Sequence, residues 1–209
     1  MNMAPFIFWN LAFYTIIRTQ LAFPMALKEW AVAVKALEQG KQILILRKGG
    51  IREETRKFQV ESDSFYLYPT YEHQKKGLLK KEYRPDLDKT LEGWTPDQNE
   101  VQIASYAKLE KDILLEDEAD VSRLYSSHIW TERFAEERLR WKPKQPLHVL
   151  FLRIYKLDEP WVLPVDDSYL GCKSRIQLKK TDEEKKMVPV LSNEAFEARV
   201  NEIMAVLKF

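Results

Sequence analysis

Apolar positions in this chain follow two periods. From Leu147 to Leu157 (LHVLFLRIYKL) a long aliphatic and aromatic run predicts a strand, and its length suggests a central place in a sheet. Past Ser192, which stands where an N-cap belongs, Phe196, Val200, Ile203 and Leu207 fall on one stripe of an amphipathic helix. Val101 to Leu109 alternates as a strand, and Tyr169 to Leu178 predicts a short strand after Gly171. Thr131 to Trp141 has helical spacing and is broken by Lys142-Pro143-Lys144-Gln145-Pro146.

Nearer the N-terminus the pattern is mixed. Gln42 to Arg47 is an apolar strand, and Phe58 to Tyr68 continues as strand with a break near Glu61-Ser62-Asp63 and an end at Pro69. Lys28 to Leu37 reads two ways. Trp30, Val32 and Val34 alternate as in a strand, hairpinned to 42–47 through residues 38–41, while Leu27, Trp30, Val34 and Leu37 fit a helical face closed by Gly40. The alternation favours the strand. Thr70 is placed to cap a helix running from Tyr71 towards Lys81; residues 84–100, with Pro85, Gly93, Pro96 and Asn99, read as a loop, as do 161–167 and the charged run 179–186.

The predicted class is α+β, a mixed, mostly antiparallel sheet with two or three packed helices and a C-terminal amphipathic helix. Strict βαβ alternation is absent, which excludes a doubly wound nucleotide fold. With 209 residues, 45% apolar and 31% charged, the chain suits one α+β domain over 25–209. Residues 5–17 (PFIFWNLAFYTII) are almost wholly apolar but too few to span a bilayer, so 1–24 read as an extension upstream of Met25; a tethering or packing segment is the alternative. No membrane partner is expected for 25–209. A single cysteine, Cys172, excludes an intrachain disulfide and a cysteine-built zinc site, which fits the cytoplasm.

A net charge of +1 supplies no global pull towards nucleic acid, so local charge carries the functional argument. Gln42 to Arg56 (QILILRKGGIREETR) sets an apolar strand against Arg47-Lys48, a Gly49-Gly50 turn and Arg52, in a chain with six glycines. Such a turn places backbone N–H groups beside cationic side chains and makes an anion site; it matches neither a Walker loop nor a dinucleotide turn. The bland counterpart is a hairpin turn with surface charges. Tyr71, His73 and Gln74 form a second group, combining a stacking ring, a titratable imidazole and an amide suited to a nucleotide. Glu61, Asp63 and His73 are the catalytic candidates for a metal-assisted phosphodiesterase, although no acid-x-lysine strand accompanies them. His73, His128 and His148 lack a common ligand spacing, so no metal site is assigned.

The segments EWAVAVKAL, LRKGGI, Tyr68-Pro69-Thr70 with His73-Gln74, the strand around Leu150 to Leu157, and Gly171-Cys172-Lys173-Ser174 together resemble the uncharacterised bacterial domain-of-unknown-function family 1802, from about Met25 to Leu178. That resemblance implies a neighbourhood of nucleic-acid or defence biology and assigns no reaction and no cofactor. The leading expectation is a binding domain for a phosphate-bearing ligand or nucleic acid, with Arg47, Lys48, Gly49, Gly50, Arg52, Tyr71, His73 and Gln74 as its contacts. A metal-assisted phosphodiesterase or nuclease and a protein-interaction accessory are the alternatives; whether the chain is an enzyme, and its oligomeric state, stay open.

Overall fold

The computed structural model of the chain describes residues 24–48, 63–140, 146–171, 173–179 and 186–208. In chain order these form β1 (Met25–Trp30), α1 (Ala31–Glu38), β2 (Leu44–Lys48), β3 (Ser64–Thr70), α2 (Arg84–Leu91), β4 (Glu100–Leu115), α3 (Glu118–Arg123), α4 (Glu132–Arg140), β5 (Leu147–Pro164), β6 (Arg175–Gln177), β7 (Met187–Pro189) and α5 (Asn193–Leu207). The strands make one mixed sheet in the order β2-β5-β4-β3-β1-β6, with β7 added to β5. Among the described strands only β1 and β3 run parallel; the other pairings are antiparallel. The fold is α+β, as expected, and β5 is interior: β4 lies along one edge while β2 and β7 share the other.

Period-two alternation sorts the side chains. Leu27, Ile45, Phe65, Leu67, Ala107, Leu150 and Leu152 meet Val34 and Leu37 of α1 in one cluster, so the sheet curls around that helix. The opposite face divides. Leu44, Leu46, Val149 and Phe151 pack under α3, α4 and α5, and Ala26, Tyr66, Tyr68, Ile103 and Trp161 form a largely aromatic cluster elsewhere. The curl brings β2 back to β1, at the far side of the sheet order: Arg47 Nη1 donates to the Lys28 carbonyl at 3.5 Å. Register shifts in β4 between Ile103 and Ser105 and between Leu109 and Lys111 supply the bulges that such curvature needs.

Four local expectations are corrected. Residues 31–38 are helix, and β2 pairs with β5 instead of hairpinning to 28–37. Ala31, Val32, Ala33, Val34, Ala36 and Leu37 are all buried, so only Lys35 and Glu38 mark a polar stripe on α1, too few to show a helical period, and its alanines favour helix. It ends in a Schellman motif: Lys41 N donates to Ala36 O and Gly40 N to Leu37 O, with Gly40 at φ +64°. A Cβ at Gly40 would also meet the Leu191 side chain at 3.0 Å. Second, Thr70 ends β3 instead of capping a helix, and 71–75 form a turn with His73 at φ 61°. Pro69 sits inside β3, where β4 pairs only with Ser64 to Tyr66 and asks no N–H of it. Third, Arg84–Leu91 is helix, with Pro85 in the first turn where its missing N–H costs nothing. Fourth, β5 runs on to Pro164, paired with Glu100.

The C-terminal helix matches its sequence. Ser192 Oγ accepts from Ala195 N at 3.2 Å, and Phe196, Val200, Ile203 and Leu207 are buried. Ser192→Ala is expected to cost about 1 kcal/mol, read as a lower urea midpoint at unchanged slope.

Candidate functional site

Because β1 and β3 are parallel, their carboxyl ends lie side by side, Glu29 opposite Pro69 and Trp30 opposite Thr70. Both chains turn away there, into α1 and into the 71–75 turn, and leave a cleft of about 420 Å³. The 94–98 segment, the 165–174 connection and Arg138 of α4 complete its walls.

At its foot lies a charge cluster. Arg47 Nη1 is 3.7 Å from Glu29 Oε2, with these side chains 12% and 13% exposed. Arg138 stands close by: burial pulls its guanidinium below the usual arginine range, Glu29 opposes that shift, and Arg47 adds to it by repulsion. Glu29 thus pairs with Arg47 and acts on Arg138 through its charge alone, and two guanidiniums against this one carboxylate leave an excess positive charge that a phosphate can meet. Lys28 and Lys173 also line the cleft, so its four cationic side chains (Lys28, Arg47, Arg138, Lys173) face three carboxylates (Glu29, Glu72, Glu100). Lys28 Nζ donates to the carbonyls of Tyr169 and Gly171 at 2.7 and 3.0 Å, tying the 165–174 connection to β1.

The walls are aromatic. Tyr71 and Trp94 stack at 5.6 Å with rings 17° apart, and Trp30, Tyr68 and Tyr169 also line the space. Burial, then the nearby Glu38 charge, pushes the Tyr71 phenol up. Burial lifts Tyr68 to about 12, helped by Tyr169 and Tyr71, so both rings are neutral donors at physiological pH.

Of the residues singled out from sequence, Arg47, Tyr71 and His73 line this one cleft. Lys48 does not join them. Successive side chains of β2 point to opposite faces, and Lys48 lies on the side of Leu44 and Leu46, where burial lowers its ammonium. Gln74 holds structure: its Oε1 accepts from Val32 N in the first turn of α1 and its Nε2 donates to Tyr71 O, both at 3.2 Å. Gly49, Gly50, Arg52 and Glu61 lie outside the described residues. Asp63 precedes β3 and His73 follows it, which separates them by about 20 Å of strand. Among the described residues no three His, Cys, Asp or Glu side chains converge as a metal would require, and no helix is long and apolar enough to cross a membrane.

Arg138, Trp94, Trp30 and Lys28 were not singled out from sequence. Arg138 sits in a charged stretch, ERFAEERLR, that resembles any solvated helix. Trp94 carried a signal: a tryptophan between Gly93 and Pro96, in a segment with no apolar period, has no core to fill.

A family model described as "Domain of unknown function (DUF1802)" matches residues 26–202, and the chain belongs to that family. No curated protein matches it. Among solved structures it is similar to ASCH from Zymomonas mobilis, at 14% identity and a TM-score of 0.41 over 76% of this chain and 89% of that one. Two mutant forms of ZmASCH from the same organism give 12% and 13% identity and TM-scores of 0.41 and 0.40, over 76% of this chain and 89% and 92% of theirs.

Proposed function

We propose that the protein binds single-stranded nucleic acid in the cleft between the ends of β1 and β3. One observation carries the reading: Arg47, paired with Glu29, and Arg138, within electrostatic reach of both, line the same cleft as the Tyr71–Trp94 stack. Backbone phosphate meets the arginines, and unstacked bases lie against the rings. Both interactions are open to any sequence, because every nucleotide has a phosphate and a flat face. A duplex keeps its bases stacked internally and uses only the phosphate half of the site, so single strands are favoured. His73, exposed at the rim, adds a further donor.

Retention of short single- and double-stranded DNA and RNA at two salt concentrations, with and without magnesium, tests this. The expected result is single-strand retention that needs no magnesium. Neutralising two phosphates, one at each arginine, gives a slope of roughly −1.4 in log K against log salt. Salt-independent retention, or none, removes the reading.

A further inference from the structure

A second cavity, of about 290 Å³, shares Pro69 and Tyr71 with the main cleft. Its lining follows the periods of four elements. Ala31, Val34, Lys35 and Glu38 are one stripe of α1, Asp86, Lys89 and Thr90 one face of α2, Leu67 and Pro69 alternate on β3, and Gln102 and Ala104 on β4. Glu38 is the acidic group at the α1 end. The β4 bulge between Ile103 and Ser105 turns Ser105 towards it; Ser105 Oγ is buried and makes no hydrogen bond of full geometry, yet lies near enough to favour the Glu38 carboxylate. Asp86, the other lining acid, is engaged by Lys41 at 2.6 Å.

We infer that this second cavity is a base-reading pocket for guanine, resting on the nucleic-acid reading above: a nucleotide with its phosphate at Arg47 and Arg138 passes its base over Tyr71, and Glu38 accepts from its Watson–Crick edge. A carboxylate offers two acceptor oxygens side by side. Guanine is the base whose Watson–Crick edge presents two adjacent donors, N1–H and the 2-amino group, so the pair is bidentate. Cytosine and adenine offer one exocyclic amine beside an acceptor that would face the second oxygen, and uracil offers one N–H between two carbonyls. Burial raises the Glu38 carboxyl, against the influence of Ser105, Lys35 and Lys156; two N–H donors from guanine would favour its charged form further. Gln102 and Lys35 also line the cavity and carry polar atoms.

The test uses fluorescein-labelled uridine hexamers in which one central position is G, A, C or U, titrated by anisotropy against the full chain and against Glu38→Gln. Glutamine keeps the shape and replaces one acceptor by a donor, the pattern that complements adenine and cytosine. The wild type is expected to bind the G-containing hexamer at least about fivefold more tightly than the others. Glu38→Gln is expected to lose that preference and move towards A and C, with the salt slope for all-U unchanged. Equal affinities for the four hexamers, or a G preference that survives Glu38→Gln, overturn the base pocket and leave the phosphate cleft standing. Failure of every hexamer to bind overturns both. A thermal midpoint measured for each protein confirms that the compared chains are folded.

Discussion

Replacing Arg47 and Arg138 together with glutamine is expected to weaken binding of a short single strand by at least roughly 100-fold. Each guanidinium donates charge-assisted hydrogen bonds, about 1.5–3 kcal/mol apiece, and the two losses multiply. The salt slope should fall by about 1.4, since two fewer phosphates are neutralised. That second number separates a lost phosphate contact from a distorted cleft, which would lower affinity without changing the slope. Glu29→Gln supplies the opposite sign. Its carboxylate, 3.7 Å from Arg47, competes with an incoming phosphate, so removing the charge should tighten binding several-fold. An unchanged affinity in the arginine double variant would mean that the phosphate lies elsewhere.

The second large effect concerns stability. His128 is 2% exposed, and burial, then the charge of Lys80, holds its imidazole down at about 4. Lys80 Nζ donates to His128 O at 2.6 Å, which keeps the ammonium in place. Nδ1 accepts from Trp130 N at 3.2 Å, so the neutral ring is the form that fits. In the unfolded chain the group titrates near 6.5. The unfolded state therefore binds one more proton between about 6.5 and 4, and stability falls as pH falls through that window. The full contribution is present above 6.5, and a drop of about 2.5 units removes about 3 kcal/mol. His128→Asn should flatten this part of the profile, because an asparagine oxygen can accept from the amide two residues on and carries no titrating proton. Urea midpoints at pH 7 and pH 4.5 for both proteins check this; parallel losses would show that other groups are responsible.

Strong periods in the sequence gave reliable elements. The core strand around Leu150, the helix from Thr131 and the Ser192-capped helix each show one dominant period and one clear stop, and all three are present. Elements with little polar surface were misread. α1 is buried on almost every side, leaving only its small and large residues to imitate strand alternation. Two segments read as loop are regular: Pro85 opens a helix, and residues 161–164 continue a strand, paired with Glu100 to Ile103 of β4.

The site was legible where local chemistry was dense and illegible where the fold made it. Arg47 and the Tyr71–His73 turn stood out by composition, and the curl of the sheet brings them into one cleft. Arg138 reaches that cleft from α4, about ninety residues along the chain from Arg47, and no local pattern could have paired them. Arg47 and Lys48 looked like a cationic pair, but strand pleating sends them to opposite faces.

The central claim is tested most directly by following the tryptophan indole N–H signals of the chain while a uridine hexamer is titrated in. Trp94 lines the cleft and stacks with Tyr71, whereas Trp161 is buried against Tyr66 in a separate aromatic cluster. Saturable movement of the Trp94 signal with Trp161 unmoved is the predicted result. Saturable binding that leaves Trp94 in place would contradict the account.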